Sequence, residues 1–195
     1  FLEAARHIDP NNYRLHAILA DQAKSEDRLP EAEQEYKLAL NNLPATVAEG
    51  PLYPVELRLN LYETYVREDD DAHAKEQLQA ASAAIQQVKV ADEQRPEMLR
   101  LRAAVEAASG DLQAANRDLT EALSLAPNNV NSLMNFGTLL WKLGQKDQAR
   151  DAFNKVLQLD KNNRQALSGL GYLARDAGNN RLAESYFQRA ISAHP

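Results

Sequence analysis

Small, apolar and polar residues return to the same places along this chain at a fixed interval. With frames opened at Tyr13, Val55, Pro96, Val130 and Arg164, the twentieth position reads Ala32, Ala74, Ala115, Ala149 and Ala183. Four residues later stand bulky partners: Tyr36, Leu78, Leu119, Phe153 and Phe187. The twenty-seventh position reads Ala39, Ala81, Ala122, Val156 and Ala190, and the eighth Ala20, Tyr62, Ala103, Gly137 and Gly171. The seventh is Leu19, Leu61, Arg102, Phe136 and Leu170, so one arginine breaks an otherwise apolar series and puts the local packing there in question. Helix-stopping segments punctuate the frames: Asp9-Pro10-Asn11-Asn12, Leu43-Pro44, Ala126-Pro127-Asn128-Asn129, Asp160-Lys161-Asn162-Asn163 and His194-Pro195. Pro10 and Pro44, Pro127 and Lys161, and Lys161 and Pro195 are each 34 residues apart, the length of a helix–turn–helix unit.

Packing explains the pattern. Two antiparallel helices approach closely only where small residues let their axes meet, and a bulky residue fills the space beside the gap. Gly110, Gly144 and Gly178 fall where each first helix must stop and reverse. Asn12, Asn129 and Asn163 fall just before first helices, where their amides can cap free N–H groups. Taken together, these residues resemble the tetratricopeptide repeat family over essentially the full chain. The resemblance is closest over 130–163, where Leu133, Phe136-Gly137, Gly144, Ala149, Phe153 and Val156-Leu157 are in register. It implies an all-α fold, a right-handed superhelical solenoid of stacked antiparallel helix pairs, with five full repeats, a leading half repeat and eleven helices. No unit buries its apolar face alone, so stability comes from stacking.

The frame divides the chain. Residues 1–12 hold the second helix of a truncated repeat, expected over Phe1–Ile8, and residues 13–46 form the first repeat. An inserted loop follows over 47–54, marked by Gly50-Pro51 and Tyr53-Pro54. An extended second repeat covers 55–95, and repeats three to five cover 96–129, 130–163 and 164–195. The extra residues of the second repeat follow an apolar, alanine-rich stretch, Ala80 to Val90, which predicts a lengthened second helix. A half unit at the start, and no polar capping helix at the end, imply a fragment of a longer array whose targeting signals lie elsewhere.

Composition narrows the picture further. Ala and Leu supply 60 of 195 residues, and the scarcity of β-branched and aromatic residues favours helix over sheet. A net charge of −6 argues against a general nucleic-acid binder. No apolar run reaches the roughly 18 residues that span a bilayer, so direct membrane insertion is not expected. The absence of cysteine excludes disulfides and thiolate chemistry and fits cytoplasm, periplasm or secretion alike.

Nothing in the chain suggests catalysis or a cofactor. His7, His16, His73 and His194 lie in different units, and His73 with Glu76 reads as an exposed polar face rather than a metal pair. Glu68-Asp69-Asp70-Asp71 lacks the alternating ligands and glycine of a calcium loop and occupies a turn. Gly169–Gly171 lies inside a repeat helix, so it is no phosphate loop.

What remains is surface. In the family the chain resembles, positions two, five, six, nine, twelve and thirteen of each first helix line a concave groove. The matching residues form the candidate ligand groove: Asn60, Arg100, Asn131, Asn135, Thr138, Lys142, Tyr172 and Arg175. Asn60 and Asn135 share position six, like the asparagine ladder of some members, and Leu101 and Gly169 interrupt it. An asparagine amide donates to and accepts from a peptide backbone at once. The two-carboxylate clamp of chaperone-binding members is absent, since Asn135 alone is identical to it, with Arg100 a conservative stand-in. The expected function is a protein-interaction module that captures a peptide or partner helix, within a longer scaffold or adaptor. A structural spacer in a longer array, and a regulatory segment of an enzyme whose catalytic domain lies elsewhere, are the alternatives. Uncapped repeat ends leave room for self-association. The basic residues Arg100, Lys142 and Arg175 would meet acidic or C-terminal carboxylate groups of the ligand.

Overall fold

The computed structural model describes residues 8–193. Among them the regular elements are ten α-helices and one 3₁₀ turn. The chain divides into two compact units, Phe1–Asp92 and Glu93–Pro195. The first holds α1 (Tyr13–Ser25), α2 (Leu29–Asn41), α3 (Tyr53–Arg67) and α4 (Asp71–Gln87). The second holds α5 (Arg95–Ala108), α6 (Leu112–Leu125), α7 (Val130–Lys142), α8 (Lys146–Leu159), α9 (Arg164–Asp176) and α10 (Asn180–Ser192). In both, each odd-numbered helix packs most heavily on the even-numbered helix after it. Of the eleventh helix expected over Phe1–Ile8, residues 1–7 lie outside the described residues.

Local chemistry sets where these helices start and turn. The side chain of Asn12 accepts from the N–H groups of Arg14 and Leu15 ahead of α1. Asn129 and Asn163 cap α7 and α9 in the same way, through Ser132 and Ala166. Each such cap contributes about 1 kcal/mol. Between the helices of every pair, the fifteenth residue of the frame is left-handed: Asp27, Asp69, Gly110, Gly144 and Gly178, at φ 62°, 57°, 90°, 76° and 75°. The second unit uses glycine there throughout. The first uses aspartate, whose short polar side chain tolerates this region at some cost.

Two local expectations change. Tyr53 and Pro54 belong to α3, not to the loop before it, because proline suits the first turn of a helix, where an N–H has no partner to lose. The lengthened helix of the second repeat is only partly realised. α4 is the longest helix, at 17 residues, but ends at Gln87, with Val88 extended, and the chain continues into a 3₁₀ turn, Asp92–Gln94. The alanines carry the helix, whereas Val88 and Val90 disfavour its continuation.

The core follows the frame. The alanines of the twentieth position are all buried, with at most 4% of their surface exposed. In the first unit Ala20, Ala32, Tyr36, Leu57, Leu61, Tyr65 and Ala74 share one cluster. In the second, Phe153 is the wedge: a Cβ on Gly137 would lie 2.7 Å from its ring, and one on Gly169, 2.9 Å. The ring is therefore gripped between its own pair and the next first helix, with 1% exposure. Phe187 repeats the contact with Gly171, where a Cβ would lie 2.6 Å away.

In the earlier pairs Tyr36 and Leu119 hold the matching buried place, and polar clasps are added beside them. Buried His16 on α1 has Nδ1 2.6 Å from Oε2 of buried Glu35 on α2, and Nε2 2.9 Å from the Pro10 carbonyl. Arg58 on α3 donates to Gln77 on α4 at 3.2 Å. Arg102, the polar intruder at position seven, donates two hydrogen bonds to Asp118 on α6, one of 2.8 Å. That carboxylate holds the guanidinium pKa above its usual value. The packing is thus sealed by an ion pair between helices rather than by a side chain of the apolar series.

Candidate functional site

The candidate groove residues fall into two groups. Those on α7 and α9 belong to the second unit, and Asn60 on α3 belongs to the first. Asn131 and Asn135 lie four residues apart on α7, so they share one face about one turn apart, and Thr138 and Lys142 continue it. Asn131, Thr138 and Lys142 are exposed and Asn135 is half-buried. None of these four side chains has a hydrogen-bond or ion-pair partner among the described residues.

On α9 the face is built from rings. Tyr172 stacks on Trp141 of α7 with centroids 5.8 Å apart and planes 17° apart. Phe187 of α10 meets Tyr172 edge-on at 5.1 Å. The Arg175 guanidinium lies over Tyr172, 4.9 Å from the ring centre. The indole is locked in turn, because Trp141 Nε1–H donates to Asp176 at 3.0 Å, with Lys146 3.8 Å from the same carboxylate. Arg175 also borders a groove of about 300 Å³ whose apolar lining includes Ala183, Phe187 and Ile191.

The equivalent positions of the first unit are occupied by its own side chains. Lys24 donates to Asn60 at 3.0 Å and to Glu63 at 3.2 Å, so the Asn60 amide is already engaged. Arg67 donates to Asp27 at 2.5 Å and to the Lys24 carbonyl at 3.0 Å. The inserted loop folds back onto α1, where Glu49 accepts from Arg14 and, at 2.8 Å, from the Tyr13 hydroxyl. Partial desolvation raises the Glu49 pKa, but these two hydrogen bonds outweigh it and hold the carboxyl below its ordinary range. Buried Tyr36 donates to Asp21, and burial pushes its phenol far above the usual value.

Arg100 departs from the expectation. It is 8% exposed and its guanidinium donates to both oxygens of Glu97, at 2.5–3.0 Å, so its charge is met inside the chain. An arginine three residues from a glutamate on one helix closes on it readily. Lys142 and Arg175 are left as the cations of the candidate face. Among the described residues no three His, Asp or Glu side chains converge for a metal, and no helix is long and apolar enough to cross a membrane.

Sequence reasoning missed Glu49 and Asp176. Their partners lie 35 or 36 residues away, about one repeat, and the single-helix register carries no sign of such links.

A family model described as tetratricopeptide repeat matches residues 106–173. Human tetratricopeptide repeat protein 7B is 22% identical over 94% of this chain and 21% of its own length. Human protein O-mannosyl-transferase TMTC3 is 22% identical over all of this chain and 18% of its own. The chain therefore spans about a fifth of the length of these curated relatives. Among solved structures, a thermophilic TPR protein of Thermus thermophilus superposes with a TM-score of 0.62 and 18% identity, over 94% of this chain and 92% of that one. The in-register small residues, the helix pairs they build and the family-model match over residues 106–173 support a tetratricopeptide repeat protein.

Proposed function

We propose that this chain is a non-catalytic protein-interaction segment of a scaffold or adaptor, and that α7 and α9 bind an extended stretch of a partner. One observation carries the reading. Asn131, Asn135, Thr138 and Lys142 present unused hydrogen-bonding groups on one helix face, whereas the matching groups of the first unit bond one another. The spacing suits an extended ligand. Residues four apart on a helix stand about 6 Å apart, and alternate residues of an extended peptide about 6.6 Å. Asn131 and Asn135 would then each grip one backbone amide of every second ligand residue. The self-bonded face of the first unit supports a spacer role for that half.

The test is titration of the 195-residue chain with peptides tiled from a co-purified partner. Asn131→Ala/Asn135→Ala is expected to weaken the binding peptide by about 1–3 kcal/mol and leave Tm unchanged. Unaltered affinity in that variant would refute the reading, as would a loss reproduced by Asn60→Ala alone.

A further inference from the structure

We infer that Arg175 is a preset receptor for an aspartate or glutamate side chain of the bound segment, held ready by Tyr172, Trp141 and Asp176. The inference rests on the reading that α7 and α9 bind an extended partner. It adds what that partner must carry.

A guanidinium held over an aromatic ring is restrained by the ring and still has N–H groups to offer a carboxylate. The Arg175 guanidinium lies over the Tyr172 ring, 4.9 Å from its centre, and has no carboxylate partner among the described residues. Other arginines of the chain do have one, such as Arg67 with Asp27, Arg95 with Glu121 and Arg102 with Asp118. The platform is itself fixed on both sides. Tyr172 has Trp141 stacked on it and Phe187 at its edge, and the indole N–H is tied to Asp176. With Trp141 and Arg175 stacked on its ring, Tyr172 orients the cation rather than offering a ring to the ligand. A cation already held in place loses little conformational freedom on binding, which leaves more of the ion-pair energy for affinity. Lys142, exposed and unpaired, adds a second positive charge. The second unit as a whole is net positive, with 13 basic and 11 acidic residues, against 9 and 17 in the first.

The source of the carboxylate is a side chain, not a chain end. Beyond Arg175 the residues Asp176, Ala177 and Gly178 are all exposed, so nothing there closes the face against a segment running past. Asn131 and Asn135 are suited to hold backbone within a chain.

The probe is a pool of acetylated, C-terminally amidated octapeptides with one fixed central position, glutamate in one pool and glutamine in the other. Binding to the whole 195-residue chain is read by fluorescence anisotropy. The wild-type chain is expected to prefer the glutamate pool roughly tenfold, because hydrogen bonds to charged groups are about twice as strong as neutral ones. Arg175→Gln should remove that preference without changing Tm, since the side chain is exposed. Tyr172→Leu should reduce it and Tyr172→Phe restore it, which separates positioning of Arg175 from simple loss of a contact. Equal binding of both wild-type pools, or a preference that survives Arg175→Gln, overturns the inference and leaves the peptide-binding reading standing. Binding that appears only when the terminal carboxylate is free also overturns it. Failure of both pools to bind the wild-type chain overturns the inference and the peptide-binding reading together.

Discussion

α1–α2 and α7–α8 are two copies of one helix pair that have used their polar side chains differently. In α1–α2 a histidine–glutamate clasp is buried between the helices, and the outward groups of α1 bond to α3 and to the inserted loop. In α7–α8 the interior is built on Phe153 against Gly137, and the side chains of Asn131, Asn135, Thr138 and Lys142 on α7 have no polar partner among the described residues. The contrast teaches that outward polar groups are engaged or left open by what stands about one repeat away, as Lys24 does for Asn60. Availability, more than residue type, is what distinguishes the two faces.

The sharpest way to break this comparison is to remove the wedge. Phe153→Ala should cost the second unit about 3–5 kcal/mol in urea denaturation, because the ring is buried and fills space shared by two glycines. A loss under about 1 kcal/mol would mean that the ring is dispensable and the contrast mistaken. The clasp should respond in another way. His16→Leu is expected to cost about 3 kcal/mol by breaking a buried pair. The double variant His16→Leu/Glu35→Leu should recover most of it, since an apolar pair of similar volume has no charge to desolvate. Costs that simply add would show that the two side chains do not act together.

Smaller effects sharpen the picture further. Glu106 has one buried carboxylate oxygen without a partner. Burial, then the charge of Asp118, pushes its carboxyl above the ordinary range. The folded state therefore resists its ionisation. The stability it lends is fully present below about pH 4, the unfolded glutamate range, and is lost as pH rises through the raised value. Glu106→Gln should raise Tm at about pH 7 and leave it unchanged near pH 4. An equal gain at both pH values would assign the effect to packing instead. The smallest change concerns the turns: Asp69→Gly should add about 0.5 kcal/mol by relieving a left-handed aspartate, whereas Gly144→Asp should subtract a similar amount. Opposite signs, measured by thermal denaturation, are the expected outcome.

Much of this architecture could be read from the sequence because close approach of helices imposes residue size directly. Alanine at five twentieth positions, and a residue in the left-handed region at each fifteenth, are demands of backbone geometry. They leave a trace at fixed spacing whatever the surroundings. The candidate face was legible only as a set of positions. Asn60 and Asn135 occupy the same place in the frame, and nothing local distinguishes them. The difference is Lys24, 36 residues before Asn60, whose ammonium takes up the amide. Arg100 likewise reads as a surface cation until its burial and its bonds to Glu97 are known. Pairing across repeats depends on side-chain reach, and periodicity carries no record of it.

The locked indole of Trp141 has a spectroscopic consequence. It is the single tryptophan of the chain, stacked on Tyr172 with its N–H tied to a carboxylate. Excitation at the red edge of protein absorbance therefore samples the α7–α9 junction alone, while far-ultraviolet dichroism averages over every helix. If the repeats melt in stages, the two signals will part during denaturation, and the gap between their midpoints will give the order in which the array comes undone. The same intrinsic emission offers a dye-free readout for the proposed binding beside Arg175.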